Sequence, residues 1–518
     1  MNAGHATVAA AFGDMAARMG DAPFQYVPSG TAAAYGIPAG PISWRQAARE
    51  TGLIRDAFAA AGYGPGHRIG LMLENRPSFF FYWLALNGLG CAVVPLSADL
   101  RPAELDYLVT HSEIVLAVTT EAHRDRPCAA VIEAGGTPPP APRPATDTRP
   151  DRTRECALLY TSGTTGRPKG CVLSNDYFLR AGEWYAAIGG LCDLHAGARL
   201  ITPLPLTHMN AMAYSSMAMI LTGGCIVQLD RFHPRTWWDT VRESEATIVH
   251  YLGVMPSMLL GAPPEPSDRD HRVRFGFGAG VDRRHHATFE TRFGFPLLEA
   301  WAMTETGAGA VVIANREPRH IGTNCFGRPE PAVETRILPE DGELLVRAAG
   351  PDPCAGFFTE YLKDPDATST AWAGGWFHTG DIVRVGDDGE MYFVDRKKNV
   401  IRRSGENISA VEVESILRRH PAVAEAAVAA VPDELREEEV FACVVLRAPA
   451  ADPAATAADI VRSALEDLSY FKVPGWVCFV ESLPLTASQK VARGDLKTMA
   501  SRLVTSPDCI DTRGLKRR

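Results

Sequence analysis

The sequence has no excess of basic residues. Its 52 lysines and arginines are outnumbered by 61 aspartates and glutamates, which gives the 518-residue chain a formal net charge of −9. A protein that binds a nucleic-acid backbone needs a basic face to neutralise phosphates, so this balance argues against nucleic acid as a partner. A nucleotide ligand is not excluded, because a few local hydrogen-bond donors suffice to bind it.

The sequence also lacks long apolar runs and closely paired cysteines. Met1–Gly20 contains no continuous apolar segment, so we expect no secretory signal there. The most apolar stretch, Phe79–Leu96, is interrupted by Asn, Gly, Cys and Pro, and we predict no transmembrane segment. The 11 cysteines show no zinc-type spacing, which favours reduced, mostly buried thiols and a cytoplasmic protein.

What is present is an alternation of helix-like and strand-like segments. Trp44–Ala61 has helical spacing, and the apolar run Arg68–Leu73 indicates a strand. Such alternation predicts βαβ units and parallel sheets. We therefore predict an α/β fold, with a large N-terminal domain of parallel-sheet αβ subdomains at residues 1–397. A small, mobile α+β lid domain is expected at residues 398–518.

The strongest local signal is the segment Leu159–Gly170, in which a strand runs into a loop rich in glycine and hydroxyl side chains. Glycines let backbone N–H groups approach phosphate oxygens, and the hydroxyls and Lys169 add donors and charge. The segment is not a Walker loop, because the Gly-Lys-Ser/Thr junction that opens a helix is missing. Taken alone, it could equally be a polar turn between strands.

Five motifs in order make the sequence resemble the adenylate-forming superfamily, and in particular its AMP-forming acyl-CoA synthetases (carboxylate–CoA ligases). They are Thr161–Lys169, Trp301–Glu305, Gly375–Asp381, Asp395–Lys398 with Gly405–Ser409, and Leu483–Lys490. The resemblance implies that Glu305 binds Mg²⁺, that Trp301 lies beside adenine, and that Asp381 holds the ribose hydroxyls. The implied ATP- and AMP-binding residues are Thr161, Ser162, Gly163, Thr164, Thr165, Gly166, Lys169, Gly278, Ala279, Trp301, Ala302, Thr304, Asp381 and Arg396.

The resemblance also implies two half-reactions that share one lid. Lys490, with Glu305, Thr304 and His208, is the expected catalytic set for forming acyl-AMP. The lid then rotates about Lys398, and a loop containing Ser404, Gly405 and Glu406 lines the channel for coenzyme A. The implied acyl pocket comprises His208, Met209, Tyr251, Gly253, Gly280 and Met303.

Amino-acid-activating relatives carry an aspartate in the segment after the pocket histidine. Here Met209–Ala213 contains no acidic residue, so an acid without an α-amino group is favoured, since a buried ammonium would be unpaired. Four positions depart from the family pattern: Ala302, Leu485, Gln489 and Asn399. None of them removes a group that performs chemistry.

The resulting hypothesis is an ATP-dependent, AMP-forming acid–thiol ligase. Its small-molecule partners would be a carboxylic acid, ATP and coenzyme A, with Mg²⁺ as cofactor, and a homodimer is common among such relatives. Two alternatives stay open. One is an acyl-adenylating enzyme that loads a carrier protein, and the other is a non-catalytic nucleotide-binding homologue.

Overall fold

A computed structural model describes residues 4–100, 102–124, 126, 130–146, 151–161, 168–403, 406–433, 436–485 and 491–516. Its α-helices are α1 Val8–Met19, α2 Ser29–Tyr35, α3 Trp44–Ala60, α4 Pro77–Gly88, α5 Pro102–Ser112, α6 Asn175–Ala187, α7 Ser216–Thr222, α8 Trp237–Glu243, α9 Val254–Leu260, α10 Arg283–Phe293, α11 Pro365–Ala371, α12 Ala410–Leu417, α13 Pro453–Asp467 and α14 Arg493–Leu503.

The strands are β1 Pro23–Val27, β2 Gly40–Ser43, β3 Arg68–Met72, β4 Ala92–Pro95, β5 Leu116–Thr119, β6 Val131–Glu133, β7 Glu155–Thr161, β8 Lys169–Ser174, β9 Arg199–Thr202, β10 Cys225–Gln228, β11 Ile248–Leu252, β12 Phe275–Ala279, β13 Leu297–Trp301, β14 Val312–Ile313, β15 Cys325–Gly327, β16 Val333–Ile337, β17 Glu343–Ala348, β18 Glu360–Tyr361, β19 Phe377–Val385, β20 Met391–Arg396, β21 Val400–Arg403, β22 Glu406–Ser409, β23 Val423–Asp433, β24 Glu437–Leu446, β25 Trp476–Phe479 and β26 Ile510–Asp511.

Local sequence signals explain where helices α3 and α4 begin. The Ser43 hydroxyl accepts from the Gln46 backbone N–H and the Gln46 side chain accepts in return, a capping box that starts α3. Pro77 occupies the first turn of α4, where no backbone N–H is needed. Most residues of α4 are buried, on all faces of the helix, because the helix lies in the interior of the N-terminal region.

Two large sheets confirm the predicted parallel α/β organisation. One has the order β18-β8-β7-β4-β3-β5-β6, and the other has the order β14-β13-β12-β11-β9-β10-β1-β2. Neighbours from β13 to β1 in the second sheet are all parallel, and antiparallel strands lie only at its two edges. A continuous apolar core spans both sheets and the helices between them.

A third sheet was not foreseen. Its order is β15-β20-β19-β17-β16, and every neighbouring pair is antiparallel. The predicted pattern of parallel αβ units covered all of residues 1–397. In this sheet, however, antiparallel pairs take the place of strands joined by crossover helices. Both Asp381 and Arg396 lie in this sheet.

The last sheet begins at Val400. It contains β22-β21-β24-β25-β26, with β23 paired to β24, and α12, α13 and α14 pack on it around apolar clusters of their own. The chain thus has a large N-terminal part and a smaller C-terminal α+β part, as predicted. Within the described residues, no helix is both long enough and apolar enough to span a bilayer. The ten cysteines of the described ranges are free thiols, and eight of them are buried.

Candidate active site

The candidate site lies where four parallel strands end. Because β9, β11, β12 and β13 run in the same direction, the segments that follow them meet at one edge of the sheet. Ligands of open α/β sheets bind at this carboxyl edge. The segments beginning at Gly253, Gly280 and Ala302, together with the chain after Thr202, supply the residues predicted to line the acyl pocket other than Tyr251, and part of the predicted nucleotide site.

Close backbone packing explains the glycines at this edge. A Cβ on Gly253 would lie 1.6 Å from the Gly280 carbonyl oxygen, and one on Gly278 would lie 2.4 Å from the Tyr251 carbonyl oxygen. Gly280 itself has a φ of 79°, which favours glycine. Tyr251 is buried, and its hydroxyl donates to the Leu298 carbonyl at 3.2 Å, so its ring packs beneath this turn. Whether Tyr251 also bounds an acyl pocket stays a prediction.

A buried acid that the sequence analysis missed holds the same turn. Glu299 on β13 accepts from the backbone N–H groups of Gly280 at 2.8 Å and Val281 at 3.0 Å. Burial raises the pKa of Glu299, and these two donors oppose that effect. The detectable signal was an acidic residue in the otherwise apolar run Leu297–Trp301.

At one end of the site, Asp381 stands between an indole and a guanidinium. The Trp301 Nε1–H donates to Asp381 Oδ2 at 2.8 Å, and Arg396 Nε lies 2.7 Å from Oδ1. Asp381 and Arg396 are paired across β19 and β20, which brings together two residues predicted to bind the nucleotide. Burial raises the pKa of Asp381, while Arg396 and the indole N–H act to lower it.

The contact of Arg396 with Asp381 is an ion pair without hydrogen-bond geometry. Within the described residues, the buried Oδ1 receives no directed hydrogen bond despite the short distance to the guanidinium. A hydrogen bond requires an aligned N–H group as well as a short distance between the two heavy atoms. A carboxylate oxygen in this condition can accept from a ligand hydroxyl.

A second buried acid, Glu305, contacts a hydroxyl. The Tyr361 O–H donates to Glu305 Oε1 at 2.9 Å, and Lys169 Nζ lies 4.7 Å from the centre of the Tyr361 ring. Thr161 pairs with Lys169 at the open end of the β7–β8 hairpin, so both flank the glycine-rich loop. Thr304 is partly buried, and its carbonyl accepts from the Tyr177 hydroxyl.

Tyr361 is a second residue that the sequence analysis missed. It is 56 residues from Glu305, and β18, which carries it, consists of only two residues. No local pattern links the two. Burial and the neighbouring Glu305 carboxylate both raise the pKa of the Tyr361 hydroxyl, which keeps it protonated as a donor.

For the remaining predicted residues, the structure gives only their exposure or their place in the chain. His208 is exposed, Met209, Met303 and Ala302 are partly buried, and Ala279 is exposed. Lys398 lies in a short 3₁₀ helix and Glu406 begins β22, but their side chains are outside the described set. Outside the described residues altogether lie Ser162, Gly163, Thr164, Thr165, Gly166, Ser404, Gly405 and Lys490, and also Gln489.

The sequence of the chain matches a known family. The AMP-binding enzyme family matches residues 27–351, and the AMP-binding enzyme C-terminal domain matches residues 412–490. This chain belongs to the AMP-binding enzymes. The crotonobetaine/carnitine–CoA ligase of Salmonella arizonae is 30% identical over 493 residues, which cover 88% of this chain and 93% of that protein. The ligase of the same name from Escherichia coli O157:H7 is 29% identical with the same coverage.

Solved structures share the fold of this AMP-binding enzyme. An o-succinylbenzoate–CoA synthetase from Bacillus subtilis, in complex with its acyl-adenylate, has a TM-score of 0.80 and 22% identity. That match covers 94% of this chain and 97% of the other. ATP-bound MatB from Rhodopseudomonas palustris has a TM-score of 0.78 and 23% identity, with coverage of 96% and 99%.

Proposed function

We propose that this AMP-binding enzyme is an acid–thiol ligase that forms an acyl-CoA in two steps and releases AMP. The observation that carries the proposal is that two acids from distant segments, Glu305 just after β13 and Asp381 bonded to Trp301 at the end of β13, are both buried at the carboxyl edge of a parallel sheet. The curated relatives that align along most of the chain are CoA ligases, which supports the same reaction.

The nucleotide would be held by groups of this chain around both buried acids. The orphaned Asp381 Oδ1 suits a ribose hydroxyl, in a charge-assisted hydrogen bond. Lys169 and Thr161, at the mouth of the hairpin, together with Ser162–Gly166, are proposed to bind the phosphates. Glu305 is proposed to hold Mg²⁺, which is commonly bound by one carboxylate plus substrate phosphates. When bound, Mg²⁺ supplies neutralisation of phosphate charge.

In the first step, an oxygen of the substrate carboxylate bonds to the α-phosphorus of ATP. The bond from that phosphorus to the bridging oxygen of the β-phosphate breaks, and pyrophosphate leaves. Both reactants are anionic, so positioned positive charge lowers the barrier. We assign that role to Lys490, with Thr304 beside the phosphates and His208 near the acid.

In the second step, the thiol of coenzyme A loses its proton to solvent and its sulfur attacks the acyl carbonyl carbon. The bond from that carbon to the phosphate oxygen breaks, and AMP leaves with the electron pair. We propose that residues 398–518 rotate about Lys398 between the steps, so that Ser404, Gly405 and Glu406 line the thiol channel. The Nζ atom of Lys397 lies 2.7 Å from a carboxylate oxygen of Asp341 and from one of Glu343. These ion pairs hold the residue just before the proposed hinge to the large N-terminal part. Lid rotations of this kind let one site serve two steps.

The substrate proposed is an acid without an α-amino group, because Met209–Ala213 offers no carboxylate to pair with an ammonium. Free coenzyme A is the proposed thiol, the cytoplasm the proposed location and a homodimer the proposed assembly. The carrier-protein alternative and the non-catalytic alternative each predict a different outcome in the experiment that follows.

The test is release of AMP and pyrophosphate with Mg-ATP across short, medium, branched and aromatic acids, each with and without coenzyme A. Release that depends on one acid class and accelerates with coenzyme A is the expected result. Release that ignores coenzyme A would favour the carrier-protein alternative. ATP binding without release for every acid would contradict the ligase assignment.

A further inference from the structure

A widened helical turn follows directly after His208 and Met209. Asn210–Ser215 form a π-helix, which is rare and frequently occurs at functional sites. The hydroxyl of Ser215 donates to the Asn210 carbonyl at 3.1 Å, and that of Ser216 donates to the Ala211 carbonyl at 2.7 Å. Two side chains thus support the wide turn.

A buried imidazole on β11 hydrogen-bonds to this turn. His250 Nδ1 lies 2.8 Å from Ser215 Oγ and 2.9 Å from Asn210 Oδ1, and its Nε2 lies 2.9 Å from the Tyr185 hydroxyl. The ring stacks on Phe277 at 4.7 Å. Burial lowers the pKa of His250 to about 3, so the imidazole is neutral and only one of its nitrogens carries a proton.

The hydrogen bonds determine which nitrogen that is. The buried Tyr185 hydroxyl has no hydrogen-bond partner among the described residues other than His250 Nε2, so it donates its proton there, because a buried hydroxyl proton without an acceptor is costly. Nδ1 must therefore carry the imidazole proton, and Nε2 accepts from the Tyr185 hydroxyl. The Asn210 atom that faces Nδ1–H must be an acceptor, which fixes it as the carbonyl Oδ1.

This assignment turns the amide nitrogen of Asn210 away from the core. Within the described residues its Nδ2 donates to no acceptor, and Asn210 is partly exposed whereas Ala211–Ser215 are buried. His250 lies two residues before the carboxyl end of β11, so the amide group lies over the same sheet edge as Gly253 and Gly280. The result is an N–H₂ donor that hydrogen bonds hold in place beside the proposed acyl pocket and that has no acceptor within the described residues.

We propose that Asn210, held by His250, selects acids that carry a neutral hydrogen-bond acceptor on their chain, such as a hydroxyl, keto, ether or amide oxygen. This inference rests on the proposed ligase function and specifies its substrate class. A neutral acceptor is favoured over a second carboxylate, because the network of Asn210, His250, Ser215 and Tyr185 contains no cation to pair with one. Asn210 is the specificity residue, and His250 is a positioning residue that acts through it.

The experiment compares matched pairs of acids that have the same chain length and differ only in one oxygen. For each enzyme, kcat/KM for pyrophosphate release is measured with both members, and their ratio is taken so that changes in overall activity cancel. The native enzyme is expected to favour the oxygen-bearing member of at least one pair by about tenfold or more, because a hydrocarbon leaves the amide donor unpaired. Asn210→Leu should bring that ratio to about one.

Three further variants separate selection from folding. Asn210→Asp presents an acceptor instead of a donor, so the preference should reverse in the keto and ether pairs, whose oxygens can only accept. His250→Phe should lower the ratio through KM rather than kcat, and His250→Gln, which keeps a donor, should restore part of it. Equal melting temperatures would show that the variants are folded.

Two results would overturn the inference. One is a native enzyme that favours the hydrocarbon member of every pair, and the other is a ratio that survives in Asn210→Leu. Pyrophosphate release with neither member of any pair would instead count against the ligase function itself.

Discussion

The two ends of the site are built from different kinds of polar group. The nucleotide end contains charges, with the buried acids Asp381 and Glu305 near the cations Arg396 and Lys169. At the proposed acid end, His250 is uncharged and, among the described residues, it hydrogen-bonds to two hydroxyls and an amide. Every turnover brings the same ribose and phosphates to the first end, whereas the second must distinguish one acid from others.

The difference implies a ranking of effects. Removing a charge in a desolvated site disturbs strong, charge-assisted contacts, whereas removing a neutral dipole changes affinity by a smaller factor. Substitutions at the nucleotide end should therefore affect every acid equally. Substitutions at the acid end should change the order of preference among acids.

The largest expected effect comes from Lys490, which is proposed to join the two ends. Lys490→Ala should lower acyl-AMP formation by about a thousandfold, because one cation serves both anionic reactants. Thioester formation from supplied acyl-AMP should be largely retained, and rapid-quench assays of each half-reaction would measure both. Lys497→Ala, which removes an exposed lysine from α14, is the control. Equal losses in the two half-reactions would show that Lys490 has a different role.

Asp381→Asn should have the next largest effect. Loss of the charge should lower kcat/KM for ATP by about a hundredfold, with the same factor for every acid tested. Asp387→Asn, at the exposed turn of the same β19–β20 hairpin, is the matched control. A factor that varied from acid to acid would break the distinction between the two ends.

Lys398→Pro should slow the second half-reaction about tenfold or more and leave the first nearly unchanged. Proline fixes φ near −65° and so blocks a backbone rotation at the proposed hinge. Lys398→Ala separates the side chain from the backbone and should behave as the native enzyme does. Unchanged turnover with coenzyme A in the proline variant would place the hinge elsewhere.

Tyr361→Phe should have the smallest effect of the four. The substitution deletes the hydroxyl that donates to Glu305 but keeps the ring beneath Lys169. The half-saturating Mg²⁺ concentration should rise about tenfold, and calorimetry should show weaker binding of Mg-ATP without any acid present. Tyr82→Phe, which deletes another tyrosine hydroxyl that accepts from Gly135, is the control. Similar shifts in both variants would indicate a general loss of stability instead.

Local patterns gave much of the fold correctly. Helical spacing predicted a helix at Trp44–Ala61, and the structure has it at Trp44–Ala60. The apolar run Arg68–Leu73 predicted a strand, and it is β3. The wholly antiparallel sheet was missed, because its strands are spread from Cys325 to Arg396 and each has a short, ambiguous pattern. The assignment of strands to sheets depends on pairings between distant segments, which one sequence does not display.

Some residues of the candidate site could likewise be predicted from the sequence, and others could not. Asp381, Glu305 and Lys169 could be named from motifs, since each lies within a short, distinctive run of residues. Tyr361, Glu299 and the His250 network could not, because their significance lies in contacts across long separations, such as the 56 residues between Tyr361 and Glu305. A lone buried histidine has no local signature of the partners that its ring will meet.

The sequence by itself determined the family, the order of the motifs and the residue types that can handle a nucleotide, because these depend on short runs of chain. Only the tertiary structure decided that Trp301 and Arg396 flank one carboxylate, and that the proton of His250 orients Asn210. The physical reason is that hydrogen bonds and ion pairs act over a few ångströms. Which groups come within that distance is fixed by the packing of the sheets and not by position along the chain.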